Sequence, residues 1–314
     1  MSLSVVIPVY NEPYVFTAID ELMEQKEEGD EIIAVNDSSS SEEFTEDFEN
    51  FCDGEEVIAI SGESSGAAEN RIKGVEEASN EKIAFLDADC RPGEGWMRRM
   101  DEALEDSDLV EGAVVYGSEE RCPLDRIIEN RDEENRFLTA NLGVRKEVFE
   151  EVGFDDRYRV HREDTDFGFQ ALEAGFASTF EGDAEVFHME GRYSPVGFLK
   201  DRLRYVSEPL FFSRFRGTPR FEEEVKHIGK LLYPKEFAAL FLFAALAFLP
   251  FNYLTVPLLA FTLASRYQLM KMQEQDCGFC PKDFLLMLLL VPLALVAKRY
   301  AIWKGALRYR VPVI

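Results

Sequence analysis

The stretch at residues 3–12, LSVVIPVYNE, decides the fold, because an apolar run of strand-forming residues ends there in a short polar turn. A helix-like segment follows it, and the same order returns along the first half of the chain. The apolar runs lie at 3–9, 31–35, 56–60, 82–86 and 109–115, and the helix-like stretches at 13–26, 41–51, 66–79 and 95–105. This alternation predicts an α/β domain with a mostly parallel sheet.

Polar motifs follow three of the predicted strands, and ligands of such sheets bind beyond the carboxyl ends of the strands. We therefore expect one ligand-binding edge to carry Tyr10-Asn11-Glu12, Asn36-Asp37-Ser38 and Asp87-Ala88-Asp89. A fourth acidic motif, Glu163-Asp164-Thr165-Asp166, stands at a predicted helix start. Short acidic motifs are common in a sequence of this composition, so their order and setting carry the interpretation.

Residues 123–180 are predicted to be mostly helical. The apolar positions behind this prediction include Phe137, Leu142, Val148 and Val152. Gly153 and Gly175 are predicted helix stops, and a short strand is predicted at 184–187.

The net charge of -26 is unevenly distributed. Residues 234–314 carry 9 basic and 4 acidic groups, which leaves a strongly acidic remainder. Such a surface repels phosphate, so a nucleic-acid partner is excluded. With only 12 Lys among 34 basic residues, the composition favours a salt-adapted host, although an acidic mesophile protein has similar features. No cleavable signal precedes the first strand, so the N-terminal domain is expected in the cytoplasm.

The C-terminal part, 234–314, is predicted to be a membrane region with two hydrophobic segments at about 237–264 and 284–303. Pro250, Asn252 and Pro257 would kink the first or fold it into a re-entrant pair. Basic residues flank both segments on their outer sides, which favours a multi-pass protein with both ends in the cytoplasm. A buried helical hairpin in a soluble protein is the alternative.

Residues 196–233 interleave aromatic and basic side chains. This pattern suits an amphipathic segment at the membrane interface, and it equally suits a structural helix packed on the N-terminal domain.

The five cysteines predict free thiols in a reducing compartment. Cys52, Cys90 and Cys122 are scattered, whereas Cys277 and Cys280 form a Cys-x-x-Cys pair that no second pair or nearby His completes as a zinc site.

Residues 3–190, about 60% of the chain, resemble the family 2 glycosyltransferases of the GT-A fold. Ordered motifs carry the resemblance: 5–12, 35–39, the Gly-rich helix start 65–74, 85–89, 143–155 and 162–168. The resemblance implies a GT-A catalytic domain at 1–195 that binds a nucleotide-sugar donor and Mg²⁺ or Mn²⁺.

On the donor side, the resemblance implies that Asp37 accepts a hydrogen bond from the base, with Pro8, Tyr10 and Glu12 beside it. A helix N-cap role is the alternative for Asp37. Arg71 would contact phosphate or pair with a surface acid. Asp87 would bind the donor near the ribose or support the metal site without binding the ion directly. The metal ligands implied are Asp89, which would bind directly, and His188, for which a structural role is the alternative.

On the acceptor side, Asp164 would be the general base of an inverting transfer. Glu163 and His161 would lie near the acceptor, and Asp166 would face elsewhere on the helix. A simple helix-start role is the alternative for Glu163 and Asp164. The chain departs from the family pattern at two points. Cys90 follows the metal motif, where the family often has a polar or acidic residue. The Gln-x-x-Arg-Trp motif of processive synthases is missing, which implies that one sugar is added per encounter with the acceptor.

The hydrophobic tail implies an acceptor in the same membrane: a lipid-linked glycan, dolichol-phosphate-linked in a salt-adapted archaeon, as in N-glycan assembly for surface glycoproteins. The alternatives are a synthase that glycosylates the polyprenyl phosphate itself and a catalytically inactive nucleotide-binding scaffold.

Overall fold

The computed structural model describes residues 2–54, 56–62, 66–118, 121–132, 135–158, 161–189, 191–218 and 252–311. The chain forms two compact units: Met1–Gly117 with Ile128–Met189, and Ser118–Ile127 with Glu190–Ile314. The second boundary lies close to the predicted end of the catalytic domain at 195. The ten-residue segment 118–127, which leaves the first unit and returns to it, was not expected from the sequence.

The first unit follows the predicted alternation closely. Its first elements are β1 (Leu3–Val9), α1 (Tyr14–Met23), β2 (Glu31–Asn36), α2 (Glu42–Asp53), β3 (Ile58–Ser61), α3 (Ala67–Glu77), β4 (Lys82–Leu86), β5 (Cys90–Pro92), α4 (Trp96–Asp106) and β6 (Leu109–Tyr116). They continue with β7 (Asn141–Arg145), α5 (Lys146–Glu151), α6 (Glu163–Ala174) and β8 (Ser178–His188).

The eight strands form one sheet in the order β3-β2-β1-β4-β7-β6-β8-β5. The first four strands pair in parallel, as predicted. Strand β7 is antiparallel to both of its neighbours, β4 and β6, so the sheet as a whole is mixed. The parallel half places the ends of β1, β2 and β4 along one edge.

The prediction of a mostly helical 123–180 was wrong in its first half. Phe137 lies outside regular structure with a φ of 52°, and Leu142 lies in β7. Four consecutive residues of β7 are buried, because the strand is central and covered on both faces. A strand that is buried on both faces does not alternate between apolar and polar residues, so its apolar run can be mistaken for part of a buried helix. The predicted stops hold: Gly153 and Gly175 have positive φ just after α5 and α6.

A buried asparagine fixes the far side of the sheet, where β8 leads to His188. The Asn141 amide donates to the carbonyl oxygens of Ala113 and Ala184 at 2.8 and 2.7 Å, and its Oδ1 accepts from the Trp96 indole at 2.8 Å. These bonds join β6 and β8 beside the register shift at Gly112, where a Cβ would lie 2.2 Å from Asn141. A glycine is therefore required at that position.

The second unit is helical where it is described. Its elements are α7 (Pro195–Asp201), a 3₁₀ helix (Arg202–Ser207), α8 (Glu208–Phe215), α9 (Asn252–Glu274) and α10 (Pro281–Tyr309). Within the predicted interfacial segment, Leu210, Phe211 and Phe215 are buried, whereas Arg214 and Arg216 are exposed. The aromatic side of α8 therefore packs into the protein.

A disulfide joins Cys122 to Cys280, with a Cα–Cα distance of 5.9 Å. The prediction of free thiols was thus wrong for these two residues, since their partners are 158 positions apart and sequence proximity had grouped Cys280 with Cys277. Cys52, Cys90 and Cys277 are free and buried.

Among the described helices, α10 alone is long and apolar enough to cross a membrane: it has 29 residues, and its most apolar 18-residue window has a mean hydropathy of 2.0. Because 39% of its apolar window is buried inside the protein, a core helix would meet the same criterion. The predicted segment 237–264 lies outside the described residues up to 251, and its remainder forms the start of α9. Two membrane spans therefore remain a prediction.

Candidate active site

A pocket of about 380 Å³ opens where β1 and β2 end and α3 begins. Its lining residues are Pro8, Val9, Tyr10, Asp37, Ser39, Gly66, Ala67 and Asn70. Three of the predicted donor residues, Pro8, Tyr10 and Asp37, thus meet in one cavity. Tyr10 is 60% exposed, so its ring forms a wall that a flat ligand can stack against.

Asp37 is buried at the base of this pocket and is held by its neighbours. Its Oδ1 accepts from the Ser39 backbone N–H at 2.8 Å and from the Ser39 hydroxyl at 2.5 Å, and its Oδ2 accepts from the Asn70 amide at 3.1 Å. Burial alone would raise the pKa of Asp37, but these hydrogen bonds outweigh burial and lower it. The carboxylate therefore stays ionised as a hydrogen-bond acceptor.

The helix-cap alternative for Asp37 is excluded by Ser41. Ser41 is the N-cap of α2, and its hydroxyl accepts from the Phe44 N–H at 3.3 Å. Glu12 has a role of this kind at α1, since its Oε1 accepts from the Tyr14 N–H at 3.2 Å. Glu12 does not line the pocket, so the structure separates it from the other predicted donor residues.

Asn70 is a site residue that the sequence analysis did not single out. It is 2% exposed and fixes the Asp37 carboxylate from the first turn of α3. A Cβ at Gly62 would lie 2.2 Å from the Asn70 Oδ1, so a glycine there leaves room for the amide. The signal was present in the Gly-rich helix start 65–74, where an Asn follows the turn.

Arg71 forms a buried ion pair with Asp87 rather than pairing with a surface acid. Its Nη2 lies 2.5 Å from the Asp87 Oδ1, and its side chain is 4% exposed. The Nε and Nη1 atoms are buried and have no hydrogen-bond partner among the described residues. Two unused donors beside a half-exposed carboxylate are the arrangement that an oxyanion ligand would complete.

Asp89 and His188 meet beyond the ends of β4 and β8. The His188 Nδ1 lies 3.1 Å from the Met189 carbonyl oxygen, so Nδ1 donates and the Nε2 lone pair is left free. Nε2 lies 3.5 Å from the Asp89 Oδ2, yet it is buried and makes no hydrogen bond within the described part of the chain. Cys90 Sγ completes a group of three potential metal ligands within 4.8 Å.

Asp164 has the opposite electrostatic setting to Asp37. Burial, followed by the adjacent charge of Glu163, raises the pKa of Asp164 to about 7, although the Thr165 N–H donates to its Oδ1 at 2.7 Å. The positive charge of Arg71 acts in the other direction, so Asp164 lies within electrostatic reach of the Arg71–Asp87 pair. A carboxyl group with this pKa can accept a proton near neutral pH.

The start of α6 orients these acidic groups. Arg162 adopts the left-handed conformation with a φ of 78° and turns the chain into the helix. The Glu163 Oε2 is buried without a hydrogen-bond partner among the described residues. Asp166 points elsewhere, as expected, because it is fully buried and accepts from Gln170 at 2.6 Å. His161 is partly buried just before the helix.

Residues 4–158 match the model of the family described as Glycosyl transferase family 2. The chain is 29% identical over 200 residues to glycosyltransferase AglE of Haloferax volcanii, a match that covers 58% of this chain and 64% of AglE. It therefore spans less than two thirds of that relative. It is also 36% identical over 91 residues to EpsH of Bacillus subtilis, covering 28% of this chain and 26% of EpsH.

Among solved structures, the chain is similar to the mannosyltransferase PcManGT of Pyrobaculum calidifontis, in complex with GDP-Man and Mn²⁺. The TM-score is 0.61 at 18% identity, and the superposition covers 96% of this chain and 86% of that one. At this level of identity the likeness establishes a shared fold.

Proposed function

We propose that this chain, whose residues 4–158 match the family 2 glycosyltransferases, is a glycosyltransferase that moves one sugar, with inversion, from a nucleotide-sugar to a lipid-linked glycan. One observation carries the proposal: an acid with a pKa of about 7, Asp164, lies within electrostatic reach of the buried Arg71–Asp87 pair at the strand ends. A proton acceptor and a binding site for an anionic donor are thus neighbours.

The donor would bind at the ends of β1, β2 and β4. Asp37 stays ionised and can accept the N–H of a nucleobase, with the Tyr10 ring as a wall of the same pocket. The unused Nε and Nη1 of Arg71 can donate to diphosphate oxygens. Pro8 would line the base pocket, Glu12 would support its entrance and Asp87 would face the ribose.

The residues at the ends of β4 and β8 fit a divalent cation. The buried Nε2 of His188 has a free lone pair, and the Asp89 carboxylate lies beside it. This nitrogen and oxygen set suits Mn²⁺ and also Mg²⁺. When bound, the ion would neutralise charge that develops on the departing diphosphate.

Asp164 would take the proton of the acceptor hydroxyl as its oxygen attacks the anomeric carbon. The bond to the donor phosphate oxygen breaks as the new glycosidic bond forms, so the configuration inverts and the nucleotide diphosphate leaves. Burial and the charge of Glu163 keep the pKa of Asp164 high, and His161 would lie on the acceptor side at the start of α6. The carboxyl group then releases the proton to solvent.

The proposed acceptor is a dolichol-phosphate-linked glycan of N-glycan assembly, with the enzyme at the cell membrane and its catalytic domain in the cytoplasm. The apolar helix α10 and the basic character of residues 234–314 support a membrane location.

The test is a transfer assay with purified membranes, a panel of nucleotide-sugars, and Mg²⁺ or Mn²⁺. We expect glycolipid product from a lipid-linked saccharide and none from bare polyprenyl phosphate. Product from the bare lipid phosphate alone would indicate the synthase instead. Neither transfer nor donor hydrolysis with any sugar, despite nucleotide binding, would indicate an inactive scaffold.

A further inference from the structure

One face of α10 is apolar and exposed over most of the length of the helix. We call it the outer stripe, and its members are Leu285, Leu289, Leu293, Val296, Tyr300, Trp303 and Leu307. At 3.6 residues per turn they fall within about 80° of the helix circumference and extend roughly 33 Å along it. Their exposure reaches 69% at Leu285 and 83% at Leu307. A continuous surface of this kind marks an interaction site.

The opposite face of α10 is packed on the protein from end to end. Its buried members include Met287, Leu290, Ala294, Ile302 and Gly305. At Gly305 a Cβ would lie 2.0 Å from the Val206 carbonyl oxygen, so α10 touches the 3₁₀ helix directly. The helix is thus covered on one side along its length.

The N-terminal end of α10 is tied to the segment 118–127. Cys280 is bonded to Cys122, and the Asp283 carboxylate accepts from the Leu124 N–H at 3.2 Å and pairs with Arg192. These contacts fix the N-terminal end of α10 to the segment 118–127 of the same unit.

The C-terminal half of α10 is bound within the same unit by the chain that packs beside it. The Tyr193 N–H donates to the Leu124 carbonyl at 3.0 Å, next to the N-terminal end of α10. From there α7 and the 3₁₀ helix run to Val206, in contact with α10. If α10 crossed a bilayer, residues 195–207 would have to cross beside it. They carry Lys200, Asp201, Arg202 and Arg204, which the hydrocarbon would not accept.

We propose that α10 lies in the plane of the membrane, with its outer stripe immersed in one anionic lipid leaflet. This inference rests on the membrane location in the proposed function. It replaces the membrane span that the sequence predicted at 284–303 by contact with the membrane surface. Tyr300 and Trp303 have the amphipathic rings that favour the headgroup boundary.

The charge of this region fits an anionic leaflet. Lys304, Arg308 and Arg310 are exposed near the C-terminal end of the outer stripe. Residues 252–311 hold eight basic and three acidic side chains, in a protein whose net charge is -26. Each basic residue at such a surface adds about 1 kcal/mol of attraction to anionic lipid.

The test measures the depth of the outer stripe in vesicles of phosphatidylcholine and phosphatidylglycerol. Leu285→Cys, Val296→Cys and Leu307→Cys are labelled one at a time with a bimane fluorophore in the full-length protein, and quenching by doxyl-labelled lipids reports depth. We expect all three at one shallow depth, about 5–10 Å below the headgroups. Ile58→Cys, an exposed apolar residue of the first unit, is the unquenched control.

A depth that changes along the helix by about 33 Å between residues 285 and 307 would show a spanning helix and overturn the proposal. No quenching at any position would also overturn it, and would point to cover by residues 237–251 or by a second copy.

Two exposed residues on either side of α10, Gln273 near the end of α9 and Arg310 after α10, provide an independent measurement. Gln273→Cys and Arg310→Cys are treated with a membrane-impermeant maleimide in sealed vesicles that expose the first unit, with the wild type as the background. We expect both to react without detergent, as Ile58→Cys does. Protection of one end until detergent is added would overturn the proposal. The transfer assay on the same preparations reports the proposed function separately, because topology and depth are measured whether or not a sugar is transferred.

Discussion

Asp37 and Asp164 are two carboxyl groups of one enzyme in opposite electrostatic settings. At Asp37 three hydrogen bonds overcome the cost of burial and lower the pKa. At Asp164 burial and the charge of Glu163 prevail and raise the pKa to about 7. The difference teaches that partners, rather than burial alone, determine whether a carboxyl group binds as an anion or exchanges a proton.

The largest expected effect comes from removing the proton acceptor. Asp164→Asn should lower turnover by about 10²-fold to 10⁴-fold, because the amide cannot accept the hydroxyl proton. Donor affinity, measured by calorimetry, should be unchanged. Asp156→Asn, at an exposed acid before α6, is the control. Undiminished transfer would remove Asp164 from the proton step.

The second effect concerns the metal on the donor side. His188→Ala should raise the metal concentration needed for half-maximal transfer by about 10-fold to 100-fold, since a buried nitrogen ligand is lost. A metal titration of the initial rate measures this, and His188→Gln should restore part of the affinity. An unchanged titration would leave His188 with a structural role only.

The third effect tests Asp37, the carboxyl group whose pKa is lowered. Asp37→Asn should weaken donor binding by about 10-fold to 100-fold, the value of a hydrogen bond to a charged group. Turnover at saturating donor should change little, because the proposed role of Asp37 is to bind the donor base and not to move the proton. Ser41→Ala, which removes only the cap of α2, should leave donor binding intact. A loss confined to turnover would contradict the assignment.

The smallest effect is a shift of the pH profile. The rate should rise with pH through about 7 and then level off, because Asp164 must be ionised to accept the proton. Glu163→Gln removes a neighbouring negative charge, so ionisation becomes easier and the midpoint should fall by about one pH unit. A midpoint that stays in place or rises would show that Glu163 does not act on Asp164.

Much of the first unit could be predicted from local patterns. The first strands and helices appear within a few residues of their predicted bounds. The acidic motifs at 36–38 and 87–89 lie at the carboxyl ends of the parallel strands β2 and β4, as predicted. Strand β7 could not be predicted, because its antiparallel partners are remote in sequence and both of its faces are buried. The bond from Asn70 to Asp37 also depends on a contact across 33 positions.

The second unit was less predictable for the same reason. Hydropathy identified α10, but it could not show that one face packs on charged helices or that Cys122 is near Cys280. Both facts depend on the segment 118–127, which joins the second unit from between two parts of the first.

The Cys122–Cys280 bond makes residues 122–280 a closed covalent ring with two open tails. Asp164 and His188 belong to the ring, whereas Asp37 and Asp89 belong to the N-terminal tail. A single proteolytic cut inside the ring would therefore leave the molecule as one covalent piece until the bond is reduced. A cut between Asp89 and Cys122 would instead leave Asp37 and Asp89 on a fragment with no covalent bond to the ring.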